Sequence, residues 1–153
     1  MLGRIVAVCS SESRGMKKAD IGSGVLKEGF GLEGDAHGGD WHRQVSLLSV
    51  SSIEKMRSED LDVGPGDFAE NLTVEGLDVW TLPVGTRLKA GEGVLEVTQI
   101  GKECHAGCEI FRKVGRCVMP QEGIFARVLR SGRVSRGDLL VILDEMVVER
   151  DVN

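Results

Sequence analysis

The sequence predicts a mainly β, barrel-like domain with a few short helices. Glycine is abundant at 21 residues, whereas proline occurs three times and aromatic residues make up 4% of the chain, a balance typical of strands joined by tight turns. Short runs rich in Val, Ile and Leu, bounded by Gly, Asp or Ser, predict strands at residues 5–9, 45–50, 94–100 and 139–143. The length of 153 residues fits one domain over residues 1–153, with a core that needs no disulfides.

One β-hairpin is expected around Gly91-Glu92-Gly93. The flanking residues 87–90 and 94–97 alternate so that Leu88 and Ala90 face inward on one strand, and Leu95 and Val97 on the other. The glycines supply the positive φ that a three-residue loop requires.

Three helices are expected. Residues 51–57 begin with Ser51 as a hydroxyl cap, followed three residues later by Glu54 in a capping-box pattern. Residues 122–130 carry apolar side chains at helical spacing and end near Gly132. A third short helix is expected at about residues 108–114.

Charge and hydropathy limit the location and the partners. A net charge of -5 and a pI of about 5.3 argue against a nucleic-acid surface, which usually needs a basic face. No apolar run approaches the length of a membrane span, and the first apolar run is too short for a signal peptide. We therefore expect a soluble, cytoplasmic protein with reduced thiols and no membrane partner.

A glycine-rich segment at residues 31–46 is the first candidate binding site. The backbone amides of Gly38 and Gly39 could approach a ligand, and His37, His42 and Arg43 could neutralise an anion. The spacing is not that of a dinucleotide fingerprint. A plain glycine-rich loop between strands would have the same composition, so both readings stay open.

A second candidate lies in residues 66–73. Glu70 and Asn71 could bind the polar groups of a ligand, but they could equally close a turn or cap the entry to a strand.

The third candidate is the cysteine cluster formed by Cys104, Cys108 and Cys117. If a helix starts just after Cys104, its thiol lies at the positive end of the helix dipole beside Lys102 and His105, which favours the thiolate. Such a thiolate could attack electrophilic sulfur, carry a persulfide or ligate a soft metal.

Two other uses of the cysteines are open. Cys104, His105, Cys108 and Cys117 could instead hold a structural zinc ion, although their spacing is not that of a zinc ribbon or finger. Cys9 suits the role of a small buried hydrophobe.

Taken in order along the chain, these segments together resemble a stand-alone MOSC domain, the module at the C-terminus of molybdenum cofactor sulfurases. The resemblance covers most of the chain and is carried by Gly34-Asp35-Ala36-His37-Gly38-Gly39, Arg43-Gln44-Val45-Ser46, residues 66–73, Val84-Gly85, Cys104 and residues 132–138.

The resemblance implies a MOSC-type β-barrel that handles sulfur for the molybdenum cofactor (molybdopterin). Cys104 matches the family cysteine, as catalytic sulfur carrier or as metal ligand, and Cys108 is the second choice. His37, Arg43 and Asn71 match polar positions of an anion-binding cleft. Implied partners are a pterin-type cofactor, molybdoenzymes and a cysteine desulfurase. The sulfurases' pyridoxal-phosphate (PLP) domain has no counterpart here, so PLP chemistry is not expected, and a non-catalytic delivery module is the alternative.

Overall fold

The computed structural model describes residues 2–14, 16–58, 61–101 and 119–143, and its centre is a closed barrel of seven strands. The barrel strands are β1 (Leu2–Ser10), β5 (Val45–Ser49), β6 (Leu72–Glu75), β7 (Arg87–Ala90), β8 (Gly93–Ile100), β9 (Ile124–Arg130) and β11 (Leu139–Ile142). Around the barrel the order is β1-β11-β7-β8-β9-β5-β6 and back to β1. The β5–β6 pair is parallel and the other neighbours are antiparallel. The expected barrel fold is confirmed.

Four further strands flank the barrel, and the loops of the candidate site connect to them. They are β2 (Ala19–Asp20), β3 (Ser23–Lys27), β4 (Gly31–Leu32) and β10 (Gly132–Ser135). Strand β2 extends the end of β1, while β10, β3 and β4 form a separate three-stranded sheet. The β1–β2 loop and the β4–β5 loop are therefore both anchored in the sheets at their two ends.

The hairpin of β7 and β8 is where the sequence pattern is most clearly confirmed. Leu88, Ala90, Leu95 and Val97 are all buried in the barrel core. Gly91 has a φ of +59°, and a Cβ there would come within 2.5 Å of a carboxylate oxygen. Because Ala90 pairs directly with Gly93, the loop contains two residues rather than the expected three.

Strand β5 is buried on both faces, which links the barrel core to a second core. Leu47 lies in the barrel core, whereas Leu48 packs against Ile53 and Met56 of the covering helix α1 (Val50–Arg57) and against Phe125. Val45 and Leu47 thus supply the barrel core and Leu48 the second core, and the strand predicted at residues 45–50 is found at Val45–Ser49.

The helix expected at residues 122–130 is wrong, because Ile124–Arg130 is a strand. A short helix α2 (Met119–Glu122) is followed by strand β9, which pairs with β5 on one side and β8 on the other. The apolar spacing in this segment suits both a helix and a strand, and pairing on both edges together with burial of Ile124, Ala126 and Val128 decides for the strand.

The expected cap of the first helix was also wrong. Helix α1 starts one residue earlier, with Ser49 at the N-cap and no side-chain capping bond. Ser51 Oγ instead donates to Asp78 Oδ1 (2.9 Å), and Ser49 Oγ donates to Leu77 O (2.8 Å) just before the 3₁₀ turn Val79–Thr81. Both hydroxyls join α1 to this turn. The expected helix at residues 108–114 lies outside the described residues.

None of the described helices is long and apolar enough to cross a membrane.

Candidate functional site

A buried ion pair fixes the β4–β5 loop, which contains most of the candidate site. Lys18 Nζ lies 2.8 Å from Asp35 Oδ1, and both side chains are fully buried. Asp35 Oδ1 also accepts from the Ser11 amide (3.0 Å), and Oδ2 accepts from the His37 amide (3.0 Å). Burial alone would raise the pKa of Asp35, but Lys18 and the Ser11 amide hold it below its usual value. The pair therefore joins the β1–β2 loop to the β4–β5 loop.

Trp41 is the centre around which two arginines and two histidines gather. The guanidinium carbon of Arg43 lies 4.6 Å from the centre of the indole, and that of Arg14 lies 4.8 Å from it. The His37 ring stacks at 6.0 Å, nearly parallel to the indole, and His42 meets it edge-on at 6.1 Å. Trp41 Nε1 donates to His37 O (2.8 Å), which fixes the indole in the loop. We call these five residues the Trp41 cluster.

Arg43 is held between two aromatic rings, because its guanidinium also lies 5.5 Å from the centre of the Phe125 ring. Its Nε is buried, and among the described residues no atom accepts a hydrogen bond from it. A buried donor without an acceptor is costly, and burial strengthens the attraction of a cation for an anion. Arg43 is therefore a partly buried cation suited to an anionic ligand.

An open cleft of about 330 Å³ adjoins the Trp41 cluster. Its lining combines both signs of charge with polar, aromatic and apolar groups: Glu28, Gly29, Asp40, Trp41, His42, Gln44, Arg127, Val128 and Leu129. His42 is oriented by Gln99, with 2.7 Å between His42 Nε2 and Gln99 Oε1. The volume is at the lower end of the range for small-molecule sites.

Gly38 and Gly39 lie in the cluster's loop, but their amides already have partners. The Gly38 amide donates to Asp35 O (3.1 Å) and the Gly39 amide donates to Phe30 O (2.8 Å). A Cβ on Gly38 would come within 2.3 Å of the Phe30 ring. The structure thus gives Gly38 a packing role in the turn, and the anion-binding role of both glycines stays a prediction.

Asn71 is fully buried and connects three segments of the barrel. Its Nδ2 donates to Cys9 O (3.0 Å), and its Oδ1 accepts from the amide (2.9 Å) and the hydroxyl (3.2 Å) of Ser46. These contacts match the structural alternative that the sequence left open. Ligand binding by Asn71 stays a prediction, and a ligand would have to compete with these bonds.

Glu70 and Cys9 lie close together in the interior of the protein, and the sequence did not indicate that they form a unit. Glu70 Oε2 accepts from the Gly66 amide (2.9 Å) and from Thr73 Oγ1 (2.8 Å), while Oε1 has no partner among the described residues. Burial raises the pKa of Glu70 to about 7. Burial, followed by the nearby Glu70, raises the pKa of the Cys9 thiol to about 12, so Cys9 is a neutral buried thiol near neutral pH.

The cysteine part of the predicted site cannot be located in the same way. Cys104 and Cys108, with His105 and Cys117 of the zinc alternative, lie outside the described residues. Among the residues that the structure does describe, no group of three or more His, Cys, Asp or Glu side chains could hold a metal ion.

The sequence grouped His37 and Arg43 in one loop, and both side chains contact Trp41, but it did not single out Arg14, Trp41 or Phe125. Trp41 carried a local signal, since it is an aromatic residue between His37 and His42 in a glycine-rich loop. Arg14 and Phe125 carried none, because their approach depends on contacts distant in sequence.

The fold and the Trp41 cluster define a small β-barrel domain with a basic, aromatic loop site beside a cleft. The MOSC domain profile matches residues 33–141, most of the sequence, and the chain belongs to the MOSC domain family. This family is associated with molybdenum cofactor sulfurase-like proteins.

Solved structures share the fold at low sequence identity. The YuaD protein from Bacillus subtilis superposes with a TM-score of 0.77 at 17% identity, over 93% of this chain and 96% of that one. YiiM from Geobacillus stearothermophilus gives 0.68 at 18%, over 92% and 75% of the two chains. YiiM from Escherichia coli gives 0.66 at 22%, over 94% and 70%. No curated protein sequence matches the chain.

Proposed function

We propose that this chain binds the molybdenum cofactor through the phosphate of its pterin and serves as a sulfur carrier or sulfurtransferase toward it. The observation that carries the proposal is Arg43, a cation stacked between Trp41 and Phe125 whose buried Nε has no acceptor among the described residues. Arg43 and His37 would bind the phosphate. The cofactor is the acceptor of the sulfur and not a resident group of the protein.

The described residues fit a phosphate-bearing ring system in two respects. A charge-assisted hydrogen bond from Arg43 would give the buried Nε the acceptor that it lacks. The adjoining cleft of about 330 Å³ offers an aromatic wall at Trp41 and polar groups at His42 and Gln44, and Arg127 shares it with the carboxylates of Glu28 and Asp40. An anion held this way faces little competition from water, because the guanidinium is stacked and partly buried.

Cys104 is the residue that we propose to carry the sulfur as a persulfide, with Cys108 as the second choice. A cysteine desulfurase would supply the sulfur and a molybdoenzyme would receive the finished cofactor. Thiolate chemistry of this kind requires a reducing compartment, so the cytoplasm is the proposed location.

Mass spectrometry of the intact protein tests the sulfur step. After incubation with a cysteine desulfurase and cysteine, we expect a mass gain of about 32 Da, one sulfur atom, on the peptide that contains Cys104. Cys104→Ser should fold normally and lose the adduct, whereas Cys9→Ser should keep it. An adduct that persists in Cys104→Ser would contradict the assignment. Complete absence of an adduct in the wild type, with cofactor still bound, would favour the delivery module.

Calorimetry tests the binding step. Arg43→Ala should weaken binding of a pterin phosphate about tenfold, the effect of losing one charge-assisted hydrogen bond. Arg57→Ala is a matched control, because Arg57 is exposed on α1 and its Nε donates to a backbone oxygen, Val63 O (2.7 Å). Equal affinity of the Arg43 variant and the control would return the loop to a purely structural role.

A further inference from the structure

We propose that Arg14 is a second anion-binding residue of the Trp41 cluster and that Trp41 positions the guanidinium groups of both Arg14 and Arg43. The inference rests on the proposed function and specifies its ligand class: the group bound at the cluster is a dianion of the phosphate monoester type. Two cations on one indole suit such a group better than a single negative charge.

Arg14 reaches the cluster from a different loop than Arg43. It lies between β1 and β2, and its Nε donates to Ala36 O (3.2 Å) in the β4–β5 loop. This bond uses Nε and leaves the two terminal nitrogens of the guanidinium, for which the structure has no partner among the described residues. The geometry of Arg14 is therefore fixed while its main donors stay available.

The charges around the indole call for an anion. Arg14 and Arg43 both lie within 5 Å of the centre of the same ring, and neither forms an ion pair with a carboxylate of the described residues. The chain has a net charge of -5 and 24 acidic residues, so acidic partners are not scarce. Two cations on one indole repel each other, and a bound dianion within reach of both would offset that repulsion.

A purely structural role for Arg14 explains less. The β1–β2 and β4–β5 loops are already joined by the fully buried pair of Lys18 and Asp35, which Ser11 supports. An exposed arginine stacked on a tryptophan adds little to a connection of that strength. What Arg14 does add is a second set of donors at the indole that Arg43 also contacts.

Trp41 fluorescence allows a direct test. The chain contains two tryptophans, so Trp80→Phe leaves Trp41 as the sole fluorophore. We expect titration with inorganic phosphate, at constant ionic strength set with chloride, to change the Trp41 emission. In this background Arg14→Ala should weaken phosphate binding about tenfold, whereas Arg57→Ala should leave it unchanged.

The outcomes separate this inference from the proposed function. If Arg43→Ala weakens phosphate binding and Arg14→Ala does not, the role of Arg14 is refuted and the proposed function stands. If phosphate produces no effect on the parent protein beyond that of chloride, both fail.

The positioning role of Trp41 has its own test by calorimetry with inorganic phosphate. Trp41→Phe keeps an aromatic face for both guanidinium groups and should lose less affinity than Trp41→Leu, which removes the face. Melting temperatures of the two variants show whether both are folded. Equal phosphate affinities in two folded variants would refute the positioning role. A phosphate affinity that falls more steeply with chloride concentration in Trp41→Phe than in Trp41→Leu would support it.

Discussion

Glu70 should make the stability of this protein fall as the pH rises toward neutrality. The side chain is fully buried, Oε2 accepts two hydrogen bonds, and Oε1 accepts none from the described residues. Burial raises its pKa from 4.5 to about 7, so the folded state holds the proton more tightly than the unfolded state. The stabilisation is complete below about pH 4.5 and is lost as the pH rises through about 7.

The size of the effect follows from the shift in pKa. At about 1.4 kcal/mol per unit, the wild type should lose roughly 3 kcal/mol of unfolding free energy between about pH 4.5 and about pH 8. Glu70→Gln has the shape of the protonated side chain. Its carbonyl can still accept from Gly66 and Thr73, and its amide takes the place of Oε1. The variant should therefore lack this loss.

Urea unfolding of both proteins at a series of pH values measures the difference. Cys9 on β1, with its pKa near 12, is close enough to interact with Glu70, and the charges of Asp20 and Lys18 also act on Cys9. All of them are common to both proteins, so the difference isolates Glu70.

Glu54→Gln, an exposed change on α1, is the matched control and should keep the wild-type pH dependence. If Glu70→Gln keeps the wild-type slope between about pH 5 and about pH 8, the argument from burial is refuted.

Three further outcomes follow from the described contacts. Asp35→Asn should lower the free energy of unfolding, measured with urea, by about 3–5 kcal/mol, because it leaves the buried Lys18 ammonium without its carboxylate. Asp20→Asn removes a carboxylate from a partly exposed ion pair and should lower the same free energy by about 1 kcal/mol or less. Brief iodoacetamide treatment near neutral pH should label Cys104 before Cys9, whose thiol is buried with a pKa near 12; peptide mapping that finds Cys9 labelled first would contradict the assignment. Gly38→Ala should lower the melting temperature by several degrees, since its Cβ meets an aromatic ring at 2.3 Å, and an unchanged thermal transition would show that the ring moves aside.

Local sequence patterns predicted those elements of the fold whose structure depends on adjacent residues. The β7–β8 hairpin follows from alternation at Leu88 and Leu95 and from a glycine able to take positive φ, and both are properties of adjacent residues. Strand β9 could not be distinguished from a helix by spacing, because its strand form depends on β5 and β8, which pair with it from either side.

The same distinction between local and distant contacts applies to the candidate site. His37 and Arg43 lie in one loop, so the sequence could group them. Arg14 joins them only because Lys18 and Asp35 bring two loops together, and no local pattern encodes that contact. Likewise, Glu70 lies close to Cys9 in the interior because the closed barrel brings distant segments of the chain together.

The strand pair that closes the barrel has a consequence for how the chain reaches its native state. Leu2 pairs with Val141, so the first strand must wait for one of the last before its free edge is covered. Contacts between such distant parts of a chain slow folding. Until β11 docks, β1 and β7 each present an unpaired edge, the kind of surface that recruits other chains into aggregates. A chain truncated just before Leu139 would retain most of its core residues and yet expose two unpaired strand edges. We expect it to accumulate as insoluble material.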